Sequence, residues 1–293
     1  RQRGLFDMTG LVGTIGETLL EARELVFDYD GIPALAGGSL RVAKGANMAL
    51  LGPNGSGKTT LFLHLNGSIK PKSGEVLYAG KPIGYGRGEL MVLRRRVGLV
   101  MQNPDDQLFA ATAGQDVSFG PMNLGWNETE VRDAVRQAMR ELDIEDLIGR
   151  LTHSLSFGEK KRVVLAGVMA MSPEILLLDE PNSGLDARGR DELLDALDRL
   201  KAKGVTIVVA THDADFAWRW ADSAAVIHRG RLSVGGTMAG LFSEGGPDCI
   251  NRPQLLDVYL ALAEKGAITP GGPIPRTVED LKRMLGGSHT LPG

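Results

Sequence analysis

Cysteine is almost absent: Cys249 stands alone among 293 residues, so no intrachain disulfide can form, which fits a reducing compartment. No apolar run approaches the ~18 residues that cross a bilayer, so any role at a membrane must come through a partner. Basic residues do not outnumber acidic ones, 33 against 36, and the net charge of −3 gives no reason to expect nucleic acid binding. The five histidines are scattered without metal-ligand spacing, which argues against a dedicated metal-binding chain. No internal repeat is visible. A hydrophobic content of 43% and a charged content of 24% belong to an ordinary globular chain with ample core. Residues 1–18 begin at Arg1 and lack the apolar core of a signal peptide; they are set aside as an N-terminal extension outside the fold, foreign to the chain or trimmed.

Glycine, by contrast, is plentiful at 39 residues, and its placement carries the first functional signal. Gly52-Pro53-Asn54-Gly55-Ser56-Gly57-Lys58-Thr59 fits G-x-x-x-x-G-K-[ST], with Thr60 following. The apolar run 48–51 before it predicts a buried strand, and residues 58–66 after it predict a helix. Gly52, Gly55 and Gly57 allow the tight turn that points successive N–H groups into one concavity. The helix N-terminus favours the same anion. Lys58 is placed to reach the outer phosphates, and the Thr59 hydroxyl to ligate Mg²⁺. A glycine-rich turn that binds nothing is the bland alternative, and the flanking strand and helix count against it.

Short strands are expected at 20–29, 40–43 and 75–78, separated by the turn signals Asp30-Gly31, Lys44-Gly45 and Ala79-Gly80. Tyr29 sits where its ring could stack on a nucleotide base or equally serve as a half-buried strand residue. A strand over 97–101 ends at Gln102, preceded by Arg94-Arg95-Arg96, which read as a solvated basic face. Residues 103–109 are polar and turn-rich. Asn127-Glu128-Thr129-Glu130 predicts a helix start, and Val131, Val135, Ala138, Met139 and Leu142 form its apolar core stripe. A second helix is expected over 160–171. The unbroken apolar run 175–178 is a strand buried on both faces, ending in Asp179-Glu180. A carboxylate pair there is costly unless matched by a cation, and ligands of open α/β sheets sit at that end. With a P-loop in the chain, Asp179 is assigned to Mg²⁺ and Glu180 to the attacking water; a helix-capping acid pair is the alternative. A helix over 191–203 and a strand over 205–210 lead to Thr211-His212-Asp213. A lone histidine is more often structural, but at a strand end His212 could face the same ligand, and the two readings stand about even. A hairpin closes around Gly230, and from Gly245 on Pro and Gly are frequent, with helices expected at 254–264 and 278–285 and a linker at 270–275.

The order of these motifs resembles the ATP-binding cassette family over about residues 19–243. The resemblance makes 52–60 the Walker A segment, Gln102 the Q-loop glutamine, and Leu155-Ser156-Phe157-Gly158-Glu159 the signature motif. It makes 176–180 the Walker B strand with its catalytic Glu180, 183–186 the D-loop, His212 the switch histidine and Tyr29 the base-stacking aromatic. Phe157 departs from the commonest signature, which has glycine there. A finer resemblance, to the ATPase subunits of energy-coupling factor importers of vitamins or transition metals, lies in Val-Met-Gln-Asn-Pro-Asp-Asp-Gln-Leu-Phe at 100–109 with Phe119-Gly120-Pro121 behind it. Residues 155–163 resemble the cobalt and nickel branch in particular.

The resemblance implies an α/β P-loop NTPase with a mixed β core, an antiparallel β subdomain and an α-helical subdomain at about 103–172. A partly helical C-terminal extension over 244–293 would follow. It implies ATP hydrolysis with Lys58, Glu180 and His212 as catalytic residues, and Mg²⁺ on Thr59, Gln102 and Asp179. Ser156 and Gly158 would complete the site of a second ATPase subunit, an identical copy being favoured, in a head-to-tail dimer. Membrane-embedded coupling and substrate-binding subunits would hold the pair at the cytoplasmic face of the membrane. Two other classes compete. A soluble cassette ATPase of DNA repair or translation usually carries a coiled-coil insert or two cassettes, and neither is present. A nucleotide-binding module without turnover would not need Glu180 and His212.

Overall fold

One five-residue strand, buried on both faces, fixes the centre of the molecule. The structure is a computed structural model and describes residues 11–13, 16–242, 247–268 and 273–286. The strand expected before the P-loop forms over Asn47–Leu51. Met48 and Leu50 enter one apolar cluster, Ala49 and Leu51 another, and all four are fully buried. Successive side chains of a strand point to opposite faces, so four consecutive buried apolar residues must have a core on each side.

Two sheets supply those cores. The first contains β1 (Leu11–Gly13), β2 (Thr18–Tyr29), β3 (Ile32–Ala36), β4 (Ser39–Ala43) and, after β5 (Asn47–Leu51), β6 (Ser73–Tyr78) and β7 (Lys81–Pro82). β2 runs antiparallel to β3, β4 and β6, while β1 lies parallel to β4. Residues 11–13, set aside in the sequence reading, thus join this sheet; three residues are too few to show a periodicity. The second sheet adds β8 (Val97–Val100), β9 (Ile175–Asp179), β10 (Thr206–Thr211), β11 (Ser223–His228) and β12 (Arg231–Thr237) to β5. Its order is β12-β11-β5-β10-β9-β8, parallel except for the β11–β12 hairpin. β5, β9 and β10 lie side by side, so the P-loop, Asp179-Glu180 and His212 all leave the sheet at its carboxyl edge.

Helix α1 (Lys58–Leu65) fills the space between the sheets with Leu61, Phe62 and Leu65. α2 (Arg87–Arg96) precedes β8, and α3 (Ala113–Asn123), α4 (Glu128–Glu141) and α5 (Phe157–Met169) form the helical part. α6 (Ala187–Ala202) and α7 (Ala214–Trp220) cover the far face of the parallel sheet. The Asn127 cap and the stripe of α4 form as expected, with Val135, Ala138, Met139 and Leu142 buried. Two helices begin earlier than expected. α5 starts at Phe157 because Ser156 accepts from the Glu159 amide while Glu159 accepts from the Ser156 amide, a reciprocal capping box. α6 starts at Ala187 because Asp186 accepts from the Gly189 amide at 2.8 Å. Arg94, Arg95 and Arg96 are exposed, as read, but they end α2 and each finds a partner: the Gly67 carbonyl, the Trp126 ring and the Tyr78 ring.

The C-terminal residues pack onto the body. α8 (Met238–Phe242), α9 (Gln254–Glu264) and α10 (Val278–Gly286) bring Phe242, Leu256, Tyr259 and Leu281 into the cluster that holds Trp218. Trp218 Nε1 donates to the Pro275 carbonyl at 2.9 Å, and Arg276 donates to the Ala221 carbonyl at 2.8 Å. Of the linker expected at 270–275, residues 270–272 lie outside the described residues, and Pro275 is seated by Trp218. Residues 1–10, also within the extension set aside at the N-terminus, lie outside them too.

Candidate active site

The P-loop can form only because two of its glycines lack a side chain. A Cβ on Gly52 would lie 2.3 Å from the Ile227 carbonyl oxygen. Gly57, at φ 109°, would place one 2.6 Å from the Ala34 carbonyl oxygen. Gly57 stands at the cap of α1, no side chain caps that helix, and its first turn carries no acid. The helix amides therefore face the cradle formed by residues 54–60 free for an anion. Ser56 Oγ is buried there without a hydrogen-bond partner.

The acid pair meets this loop from β9. Thr59 Oγ1 donates to Asp179 Oδ2 at 2.5 Å, and the second Asp179 oxygen is buried with no partner. Burial pushes the Asp179 carboxyl above its usual range, although the Thr59 bond and the Lys58 and Lys161 charges act the other way. A buried, unpaired carboxylate oxygen beside a hydroxyl and a phosphate cradle is a donor set that fits a hard divalent cation. Gln102 lines the same cleft and can add an amide oxygen. Among the described residues no group of three or more His, Cys, Asp or Glu gathers.

Glu180 is held on every side. It adopts φ 44°, and its carboxylate accepts from the Thr211 hydroxyl at 3.1 Å and the His212 amide at 3.1 Å. His212 Nδ1 lies 3.0 Å from both carboxylate oxygens and donates to them when it carries the proton. Lys58 Nζ pairs with Glu180 at 3.2 Å and donates to the Gly52 carbonyl at 2.7 Å. His212 is half exposed, whereas Lys58 and Glu180 are buried.

Tyr29, Gln102, residues 54–60, Asp179 and Glu180 line one cleft of about 360 Å³, together with Ile32, Pro33 and Ala34. Tyr29 stands at its mouth, edge-on to Phe27 at 5.0 Å, and Phe27 packs in turn on His64. Gly52 and Pro53 sit behind the loop as acceptors for Lys58. Ser156 and Gly158 are not brought to this cleft; they line another, with Gly184, Asp186 and Arg188.

Several contributors lie outside the sequence reading. Gln107 accepts from the Met101 amide at 2.6 Å and donates to the Leu99 carbonyl at 3.1 Å, fixing the strand end beside Gln102. Asn182 donates to Asp213 at 3.0 Å and bridges to Thr211. The buried ammonium of Lys161 donates to the carbonyls of Glu180, Pro181 and Ser183, and burial lowers its pKa to about 8. Only the polarity of these side chains was visible in sequence; their partners lie on other elements.

Asp179→Asn gives a clear expectation. Because the folded carboxyl titrates above its unfolded value, its stabilising contribution is present below the unfolded pKa and is lost as pH rises through the folded one. At neutral pH the ionised group therefore costs stability. The Asn variant should melt no lower than wild type without nucleotide at pH 7.5, yet lose the additional stabilisation that MgATP confers over ATP with chelator. A Tm clearly below wild type, with the MgATP increment intact, would overturn the cation role.

Comparison with known proteins fits this geometry. The ABC transporter family matches residues 35–183. Over 276 residues the chain is 45% identical to the cobalt import ATP-binding protein CbiO of Rhodobacter capsulatus, covering 92% of this chain and 98% of that one. It is 42% identical over 279 residues to the energy-coupling factor transporter ATP-binding protein EcfA2 of Methanospirillum hungatei, covering 93% of this chain and 69% of that one. The solved structure of CbiO1 from Clostridium perfringens, described as part of the ABC transporter complex CbiONQ, superposes with a TM-score of 0.74. It is 41% identical and covers 85% of this chain and 98% of that one. Identity at this level along nearly the whole chain is a statement of common descent, and this chain belongs to the ABC transporter family as one of its ATP-hydrolysing cassettes.

Proposed function

We propose that this chain is the ATPase subunit of an energy-coupling factor importer, with cobalt the favoured cargo and nickel or a vitamin the alternatives. The observation that carries the reading is the match to a cobalt import ATP-binding protein along almost the full length of both chains.

In this reading ATP lies in the cleft with its base against Tyr29 and its phosphates on the amides of residues 54–60. Lys58 exchanges the Glu180 carboxylate for the outer phosphates, where it neutralises charge that grows as the β–γ bond breaks. Mg²⁺, held by Thr59 and Asp179 with Gln102 nearby, would supply further charge neutralisation on the β and γ oxygens. Glu180, released from Lys58, orients the attacking water and accepts its proton, and His212 holds that carboxylate in place. Ser156 and Gly158, lying in a cleft apart from this one, serve the ATP of a second subunit across a head-to-tail pair, a second copy being the simplest partner.

Among the described residues no helix is long and apolar enough to cross a membrane, so transport requires membrane partners. A surface for one lies beside Gln102. Phe109 is 63% exposed and Met122 61%, and the Phe109 and Phe119 rings meet edge to face at 4.5 Å. Asp116 holds this patch in place, accepting from the Phe109 and Ala110 amides at 2.9 Å each. An exposed aromatic cluster on α3 and the loop before it fits an apolar docking surface for a membrane-embedded coupling subunit, with the chain peripheral on the cytoplasmic face.

The test is affinity purification of the tagged chain from detergent-solubilised membranes of its native host. Multi-spanning subunits should copurify, and the double variant Phe109→Asp, Phe119→Asp should lower their recovery at least ten-fold. Uptake of labelled cobalt, nickel or vitamins in the host then identifies the cargo. Recovery of soluble partners alone would overturn the importer reading.

A further inference from the structure

Lys160 and Lys161 are adjacent and chemically identical, yet they do different things. Lys160 reaches outward to Asp105 at 2.6 Å. Lys161 turns inward from the first turns of α5 and is buried. Its ammonium has three protons to donate. It has three carbonyl acceptors, those of Glu180 at 3.1 Å, Pro181 at 2.9 Å and Ser183 at 2.7 Å. The first belongs to the residue whose carboxylate faces Lys58 and His212, and whose backbone stands at φ 44°, a conformation few non-glycine residues hold without outside support. The third begins the turn that carries Gly184 to Asp186.

Phe157 closes the arrangement. Its ring lies 5.2 Å from the Lys161 ammonium, within cation–π range. The same ring covers Gly184 so tightly that a Cβ there would come within 2.8 Å of it. The phenylalanine that departs from the commonest signature motif therefore covers the lysine and packs on the turn that the lysine holds.

We infer that Lys161 is a positioning residue for hydrolysis: from the signature helix, and covered by Phe157, it fixes the backbone of the Glu180–Ser183 segment and so aims the Glu180 carboxylate. It does not line the cleft that holds the P-loop, Asp179 and Glu180. Its effect on the rate passes through Glu180, and it rests on the reading of Glu180 as the base. The start of α5 and the Glu180 backbone are thereby tied through one side chain.

The test compares Lys161→Met, which keeps the length of the side chain without its donors, and Lys161→Gln, which keeps a donor of shorter reach, in the purified full-length chain. Lys161→Met should lower kcat at least ten-fold with ATP KM and ATP affinity within three-fold of wild type. Lys161→Gln should fall between the two. After incubation with MgATP, nucleotide recovered on Lys161→Met should be mainly ATP, as on Glu180→Gln, where wild type carries ADP. A merely structural lysine would predict the opposite, lost affinity in proportion to lost rate. The inference is overturned if kcat of Lys161→Met stays within two-fold of wild type. It is equally overturned if rate and affinity fall together in both variants. Should Glu180→Gln hydrolyse normally while Lys161→Met does not, the assignment of Glu180 fails and that of Lys161 must be to another group.

Discussion

Glu180→Gln is expected to lower kcat by about 10²–10⁴-fold, the contribution typical of a positioned general base, while ATP affinity stays near that of wild type. The substitution preserves shape and keeps one carbonyl oxygen to accept from Thr211 or His212, so the strand end should hold. It removes the proton acceptor and the charge that draws Lys58, which at 3.2 Å is the carboxylate's cation. Freed from that pair, Lys58 is available to phosphate at no electrostatic cost, so affinity should not fall and can rise. Steady-state phosphate release and nucleotide titration on the same preparation separate the two effects. Hydrolysis near the wild-type rate would sink the assignment and send the search for the base elsewhere in the cleft.

What could be read in advance was chemistry held in contiguous residues. Gly52 to Thr60 names both a conformation and a ligand, because only glycine tolerates the approaches that Ile227 and Ala34 make at 2.3 and 2.6 Å. The run ending in Asp179-Glu180 likewise carries its own strand, its burial and its chemistry. Positions whose role depends on a partner elsewhere were silent. Lys161 is legible only as part of a helix and of the 155–163 resemblance, and its acceptors lie 19 to 22 positions away. Gln107 looks like any polar loop residue until β8 ends beside it. The capping boxes at Thr112-Gln115 and Ser156-Glu159 were available as signals for the starts of α3 and α5. From sequence no helix is expected over α3, inside which Pro121 stands. Ser156 and Gly158 are legible only as a motif; no geometry within one chain brings them to the P-loop cleft.

Lys58→Met should be damaging twice, and for separable reasons. The first loss is affinity: removing a charge-assisted donor to phosphate should weaken ATP binding roughly 100-fold, about 2.7 kcal/mol. The second is stability. Lys58 and Glu180 are both buried, and breaking a buried pair by removing one partner strands the other charge, at a cost of about 3 kcal/mol. The methionine fills similar space, so little of that cost should come from packing. Adding Glu180→Gln removes the stranded charge, and the double variant should recover most of the lost stability while still binding ATP far more weakly than wild type. Chemical denaturation of wild type, both single variants and the double variant gives the coupling energy directly. If Lys58→Met alone unfolds at the wild-type midpoint, the pair does not hold the loop. If the double variant is as unstable as the single, the lysine acts through the Gly52 and Pro53 carbonyls, to which it donates at 2.7 and 3.1 Å. Recovery of stability without recovery of binding is the outcome expected of a lysine that guards the catalytic carboxylate and exchanges it for phosphate.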